Sequence, residues 1–369
     1  MQRLQQLTVW LQSQFPGASF DLAPASADAS FRRYFRATFA DGTTRVVMDA
    51  PPQHENCRPF LHVGKLFEDA GTHVPHVYAQ DLEQGFLLLS DLGDTTYLQA
   101  LCGGGAAQQR GAHQPPPCGE NTGNAQELYG AATDALIKIQ LASRENELPP
   151  YDEALLRREL NLFPEWYIAR HLNITLDEKQ NAKLEEVFRR ILDNNLAQPR
   201  TYVHRDYHSR NLMYIDTPLS NSDGTTRTNE KGNFLLSPGI LDFQDAVYGP
   251  ITYDLASLFK DAYIRWEEAQ IMDWLIRYWE KARAAGLPVH EDFGDFYRDY
   301  EWMGVQRHIK ILGIFARLCH RDGKEAYLKD MPLVMDYLRR ACARYIGLKP
   351  LLNLLDVLEQ KQSTAGYTF

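Results

Sequence analysis

Cysteine is scarce in this 369-residue chain: there are five, Cys57, Cys102, Cys118, Cys319 and Cys342, an odd number with no CxxC spacing. That excludes a disulfide-stapled scaffold and a zinc knuckle, and a reducing, cytoplasmic setting is expected. No apolar run reaches the roughly 18 residues that a membrane span needs. Met1 to Phe15 lacks the basic-then-apolar layout of a signal peptide. Positive charge is also short: 39 Lys and Arg face 48 Asp and Glu, for a formal net charge of −9. That opposes a general phosphate-backbone binder, so neither nucleic acid nor membrane is an expected partner. There is no G-X-Y period and no long heptad array, which excludes fibrous repeats. What is present is an ordinary globular composition, 44% hydrophobic and 24% charged. At about 150 residues per domain the length allows two or three domains, or one two-lobed unit.

Periodicity divides the chain unevenly. Leu4, Leu7, Leu11 and Phe15 share one face of a helix that Pro16-Gly17 ends. From Phe31 to Phe39 the pattern alternates; Asp41-Gly42 then gives a tight turn and Arg45 to Asp49 the returning strand. Pro59 opens a helix with Phe60, Val63, Phe67 and Ala70 facing inward and Gly71 at its end. Val74 to Tyr78 and Phe86 to Ser90 are further strands. The rest reads as mainly helical: a stripe from Leu128 to Ile139, then Leu155–Leu172, Asp261–Ala285, Phe296–Arg321 and Met331–Leu348. Short strands at Tyr202-Val203 and Ile240-Leu241 interrupt it. Gly103–Gly123 and Asn221–Gly232 are too polar and turn-rich to offset their ordering entropy, so surface insertions are expected near 102–124 and 217–236.

The chemistry concentrates in two segments. Tyr202-Val203-His204-Arg205-Asp206-Tyr207-His208-Ser209-Arg210-Asn211 has the form H-R-D-x-x-x-x-N after a strand. An Asp at a strand end can sit beside an acceptor hydroxyl, and an Asn five residues on can hold a magnesium ion bound to nucleotide phosphates. Gly239-Ile240-Leu241-Asp242-Phe243-Gln244 sets a second carboxylate at the end of another apolar strand, able to bind the same metal. Either motif alone arises by chance; the ordered pair, each after a short apolar run, is far more specific.

These segments resemble the aminoglycoside phosphotransferase family, which has a protein-kinase-like fold. The resemblance extends to Leu87–Gly93 at the place of the hinge and to Tyr253–Leu258 after the second motif. Ser30–Arg36, Val47–Pro52, Leu241–Ala246 and Gln306–Leu318 are more narrowly similar to the cell-wall-recycling kinases that phosphorylate N-acetylmuramate and N-acetylglucosamine on the anomeric hydroxyl. The resemblance implies an α+β, two-lobed architecture: a nucleotide-binding sheet-plus-helix lobe over 1–90 and a larger, mainly helical catalytic and acceptor-binding lobe over 91–369. It implies ATP and Mg²⁺ as cofactors and an amino sugar as acceptor, with a monomer or weak homodimer expected. It makes Asp206 the catalytic base, Asn211 and Asp242 the metal ligands, and His204 and Asp254 braces of the catalytic loop. Leu88 and Leu89, in the hinge stretch, are expected to meet the nucleotide.

The chain departs from the wider kinase pattern at Arg45-Val46-Val47-Met48-Asp49. The lysine of V-A-I-K is missing, with Met48 or Asp49 in its place, and the helix from Pro59 has Leu61 and His62 where its Glu partner would stand. Ser30, Arg32 and Arg33, in the first loop, are the candidates to meet the phosphates instead; alternation lets only one of the two arginines face them. Asp245 is a candidate for sugar hydroxyls. Arg307 and Lys310, at i and i+3, are candidates for the lactyl carboxylate of a muramic acid. Two other functions fit the same residues: a kinase of aminoglycosides or other small hydroxyl compounds, and a nucleotide-binding pseudokinase-like regulator.

Overall fold

The computed structural model describes residues 2–27, 31–102, 122–215 and 237–365. Ser30 and nearly all of both expected insertions lie outside these residues. In chain order the elements begin with α1 (Gln2–Gln14), β1 (Phe20–Ala27), β2 (Arg33–Phe39), β3 (Thr44–Asp49), α2 (Arg58–Asp69), β4 (Val77–Asp81) and β5 (Phe86–Ser90). Next come α3 (Tyr97–Cys102), α4 (Thr122–Leu141), α5 (Glu153–Leu162), a π-helical turn Phe163–His171 and α6 (Glu178–Ala197). Four short strands follow: β6 (Arg200–Val203), β7 (Leu212–Met213), β8 (Gly239–Ile240) and β9 (Val247–Pro250). The chain closes with α7 (Tyr253–Phe259), α8 (Glu268–Ala284), α9 (Phe293–Asp322), α10 (Met331–Arg344) and α11 (Lys349–Ala365).

Two compact units result. One comprises Met1–Thr95 with Leu212–Asp245, the other Thr96–Asn211 with Ala246–Phe369. The first is built on an antiparallel sheet of order β1-β2-β3-β5-β4. Its tight turn forms because Gly42 takes φ +83° and Asp41 accepts the Thr43 N–H at 2.9 Å. Leu7, Trp10 and Leu11 of α1 pack on Phe35, Ala37, Val47, Phe86 and Leu88, which therefore share one face of the sheet. Each such buried side chain contributes about 1.5–3 kcal/mol relative to exposure. The register pairs Tyr34 with Met48 and Arg33 with Asp49. Arg33 and Asp49 thus lie on the face that α1 covers, and Tyr34 and Met48 on the other.

Some expectations shift. The strand expected at Val74–Tyr78 lies at Val77–Asp81. Leu88 and Leu89 are buried mid-strand, paired with Val47 and Val46 on one side and with Ala79 and Val77 on the other. Their backbone groups belong to the ladder, and the strand ends at Ser90.

The second unit is helical around α9. Asp292 caps α9 by accepting the Asp295 N–H, and Gly323 ends it at φ +67°. Asp177 and Gln180 form a capping box on α6. The helix expected from Asp261 starts at Glu268; Asp261 is turned to the catalytic loop instead. The pairing β6–β9 places the end of β6 beside Val247.

Candidate active site

Asp206 follows β6 by three residues, and the loop that carries it is held from several directions. Arg205 adopts φ +76°, a left-handed conformation that costs a non-glycine residue of order 1 kcal/mol or more. Asp254, at the start of α7, holds it there by accepting the backbone N–H groups of His204 at 2.7 Å and Arg205 at 3.0 Å. His204 is fully buried, and its Nδ1 accepts the Asp206 N–H at 3.2 Å. Beyond Asp206 the chain turns tightly, with His208 N–H donating to the Asp206 carbonyl and Asn211 N–H to the His208 carbonyl. The Asn211 amide nitrogen donates to the Asp206 carbonyl at 3.0 Å. Asp261, almost fully buried, accepts both the backbone N–H and the hydroxyl of Ser209.

A buried ionic layer lies behind this loop. Arg307 donates to the Arg205 carbonyl at 2.7 Å and to the Tyr253 hydroxyl at 3.2 Å, and approaches the Asp206 carboxylate at 3.8 Å. Lys310 pairs with Glu159 at 2.9 Å and donates to the Tyr253 hydroxyl. Glu159 also takes Arg205 at 2.6 Å, Gln306 at 3.1 Å and the Tyr151 hydroxyl. Arg307 and Lys310 are therefore interior groups committed to protein partners, not a basic surface waiting for an acceptor carboxylate. Glu159, at the centre of the layer, has no sequence signal beyond its place in a charged run.

Electrostatics follows from this packing. Burial works against the charge of Asp206, but Lys310, Arg307, His208 and Arg205 outweigh it and hold the carboxyl well below the ordinary carboxylate range. The side chain remains 42% exposed, so the charged group can still meet a ligand. Asp254 behaves oppositely: burial lifts it to about 7, although two N–H donors and Arg307 pull it down.

In the first unit, β8 pairs with β7, and Ile240 N–H donates to the His73 carbonyl at 2.8 Å. Two residues past β8, Asp242 is exposed at φ +63° and accepts from the Gln244 amide at 2.8 Å. Phe243 anchors it, fully buried between Phe60 (4.8 Å between ring centroids) and Phe67 (5.9 Å) of α2. Gly64 makes room for that ring: a Cβ there would lie 3.2 Å from it. Asp245 is exposed. Arg32 pairs with Glu55 at 3.1 Å, both largely buried. Arg33 binds the buried Asp49 carboxylate, which Arg3 of α1 also takes at 2.6 Å. Asp49 is thus a structural anion and not a stand-in for the missing lysine.

Among the described residues no group of three or more His, Cys, Asp or Glu is gathered for a metal ion. Magnesium in phosphoryl transfer does not need one. Its oxygen ligands are commonly one or two protein groups completed by phosphates and water, and the donor types of Asn211 and Asp242 suit it.

A carboxylate three residues past a strand and five before an amide, braced by a helical core, in a chain that also carries a five-stranded antiparallel sheet, fits a kinase-like phosphotransferase. Residues 21–220 and 231–287 match the phosphotransferase enzyme family, and the chain belongs to it. Among solved structures it is similar to an ADP-bound aminoglycoside phosphotransferase (13% identity, 90% of this chain and 97% of that one, TM-score 0.54). It is similar also to an ethanolamine kinase of Plasmodium vivax (11% identity, 90% and 85%, TM-score 0.55). At such identities the likeness is one of fold. More specifically, the chain is 47% identical to an N-acetylmuramate/N-acetylglucosamine kinase of Neisseria meningitidis over the full length of both. It is 46% identical to the enzyme of the same name from Pseudomonas putida, over 97% of each chain.

Proposed function

We propose that this chain transfers the γ-phosphoryl group of ATP to the anomeric hydroxyl of N-acetylmuramate and N-acetylglucosamine, giving a sugar 1-phosphate. The observation that carries the reading is the Asp206 loop: a half-exposed carboxylate, held ionised by Lys310 and Arg307, in a chain whose full-length relatives bear that kinase name. On this reading Asp206 accepts a hydrogen bond from the sugar hydroxyl and aligns its oxygen with the phosphorus. A carboxylate with so low a pKa is a poor base toward a free hydroxyl. It works by orientation first and takes the proton as the bond to phosphorus forms, which suits a loose transition state with little early proton transfer. The anomeric hydroxyl, more acidic than other sugar hydroxyls, lessens the demand further. Asn211 and Asp242 would hold magnesium, which would supply charge neutralisation for the transferring phosphoryl group. Asp245 remains a candidate for sugar hydroxyls.

The test is an ADP-release assay with each sugar, with and without magnesium, and ³¹P NMR of the product. The expected result is magnesium-dependent ADP formation with both sugars and a phosphate ester on C1. Turnover of some other hydroxyl compound, with neither sugar consumed, overturns the reading.

A further inference from the structure

With Arg307 and Lys310 buried behind the loop, the question is which cation can meet a charged acceptor. Arg210 stands four residues after Asp206 on the same tightly turned loop, and it is exposed. Its guanidinium lies over the ring of Tyr263 at 3.5 Å from the centroid. The support beneath it is rigid. Asp261 accepts from Ser209, the residue before Arg210, and from the backbone N–H of Tyr263 at 3.1 Å, so one buried carboxylate fixes both the arginine's backbone and the ring it rests on. Tyr263 is further held edge-on by His208 at 5.4 Å. Among the described residues Arg210 forms no ion pair and no hydrogen bond through its side chain. Asp330 is the other acid near it; it is half-buried, and burial raises its pKa while Arg210 pulls it down. A flat, pre-ordered guanidinium without a carboxylate partner, four residues along the same loop from the residue that receives the acceptor, is poised for a planar anion.

We propose that Arg210 is the acceptor-binding residue that reads a carboxylate, pairing with the lactyl carboxylate of N-acetylmuramate and having no counterpart on N-acetylglucosamine. This rests on the reading of the chain as an amino-sugar kinase. Stacking on Tyr263 limits the rotamers lost when the pair forms, and the low-lying Asp206 charge stays with Arg307 and Lys310, so the two carboxylates of the complex have separate cations.

The experiment measures kcat/KM for both sugars in the wild type, Arg210→Ala and Arg210→Lys, and for the methyl ester of N-acetylmuramate in the wild type. Loss of a charge-assisted pair predicts that Arg210→Ala lowers the N-acetylmuramate to N-acetylglucosamine ratio by about tenfold to a hundredfold, mainly through KM. Arg210→Lys should recover part of it, and the ester should lose a similar factor with the unaltered enzyme. A ratio that stays constant in Arg210→Ala, or an ester as good as the acid, overturns the proposal while leaving the kinase reading intact. If the wild type turns over neither sugar, the kinase reading itself falls, and this inference with it.

Discussion

Asp254 accepts the backbone N–H of Arg205 at 3.0 Å, and Arg205 is one of four non-glycine residues with positive φ among the described residues. The strained loop and the buried carboxylate are thus one device: the acid compensates a conformation that its neighbours would otherwise relax. Burying that acid has a cost that depends on pH. Asp254 has its pKa lifted from 3.8 to about 7 by burial. The native state therefore holds a proton there that the unfolded chain has released. Stability from this group is full below about pH 4, falls as pH rises through about 7, and is flat above. The slope is at most about 1.4 kcal/mol per pH unit. Urea midpoints at pH 5 and 7.5 should differ accordingly, and Asp254→Asn, which cannot ionise, should lose that part of the difference.

Asp206→Asn keeps the shape of the side chain and removes its charge. A positioned acid–base group is commonly worth at least about a hundredfold in rate, so kcat should fall by that much or more with KM for ATP little moved. Because cations hold Asp206 below the usual carboxylate range, its ionisation should leave the wild-type rate level between pH 6 and 8. A rate that tracks an ionisation in that interval and survives Asp206→Asn would point to another group.

The motif residues and the main helices were readable from pattern alone. Asp206 and Asn211 carry their own spacing, and α1 and α2 show their buried stripes at Leu7–Leu11 and Phe60–Phe67. Other parts were hidden for physical reasons. β1 has a proline and small residues where a strand usually shows branched ones, and β9 is four residues long, too short for any period. The roles of Arg307 and Lys310 were misread because i and i+3 spacing looks like a solvated face. In the structure every residue of α9 from Met303 to Gly313 is buried, the polar ones included, so these cations are interior. Glu159 and Asp261 could not be found at all, since their partners lie far off in sequence and only folding brings them together.

Arg32 and Arg33 now separate. Arg33 lies on the α1 face with Asp49, whereas Arg32, just before β2, is held by Glu55, just before α2. We propose that Arg32, steadied by Glu55, meets the phosphates in place of the missing Lys–Glu pairing. Arg32→Ala should raise KM for ATP by about tenfold and Glu55→Gln by a smaller factor, as a charge-assisted contact to phosphate is lost or loosened. Arg33→Ala should instead lower stability by about 1–3 kcal/mol, because the buried Asp49 keeps only Arg3. Nucleotide titration and urea melts of the three variants separate these outcomes.

Gly313 gives the sharpest test of packing. In an open helix, replacing glycine by alanine stabilises by up to about 1 kcal/mol. Here a Cβ would lie 2.5 Å from the backbone carbonyl carbon of Leu162 and 2.7 Å from its oxygen, where α5 passes into its π-helical turn. Backbone cannot swing aside as a long side chain can, so α9 must move as a body. Overpacking of this kind costs about 1–3 kcal/mol or more, which reverses the sign expected from helix propensity. The displacement also has a functional consequence. α9 carries Gln306, Arg307 and Lys310, and the 2.7 Å bond from Arg307 to the Arg205 carbonyl holds the catalytic loop from behind. Gly313→Ala should therefore lower both the urea midpoint and kcat, although the residue touches no reacting group. A variant as stable and as active as the wild type would mean that α9 and α5 are not in the close contact described.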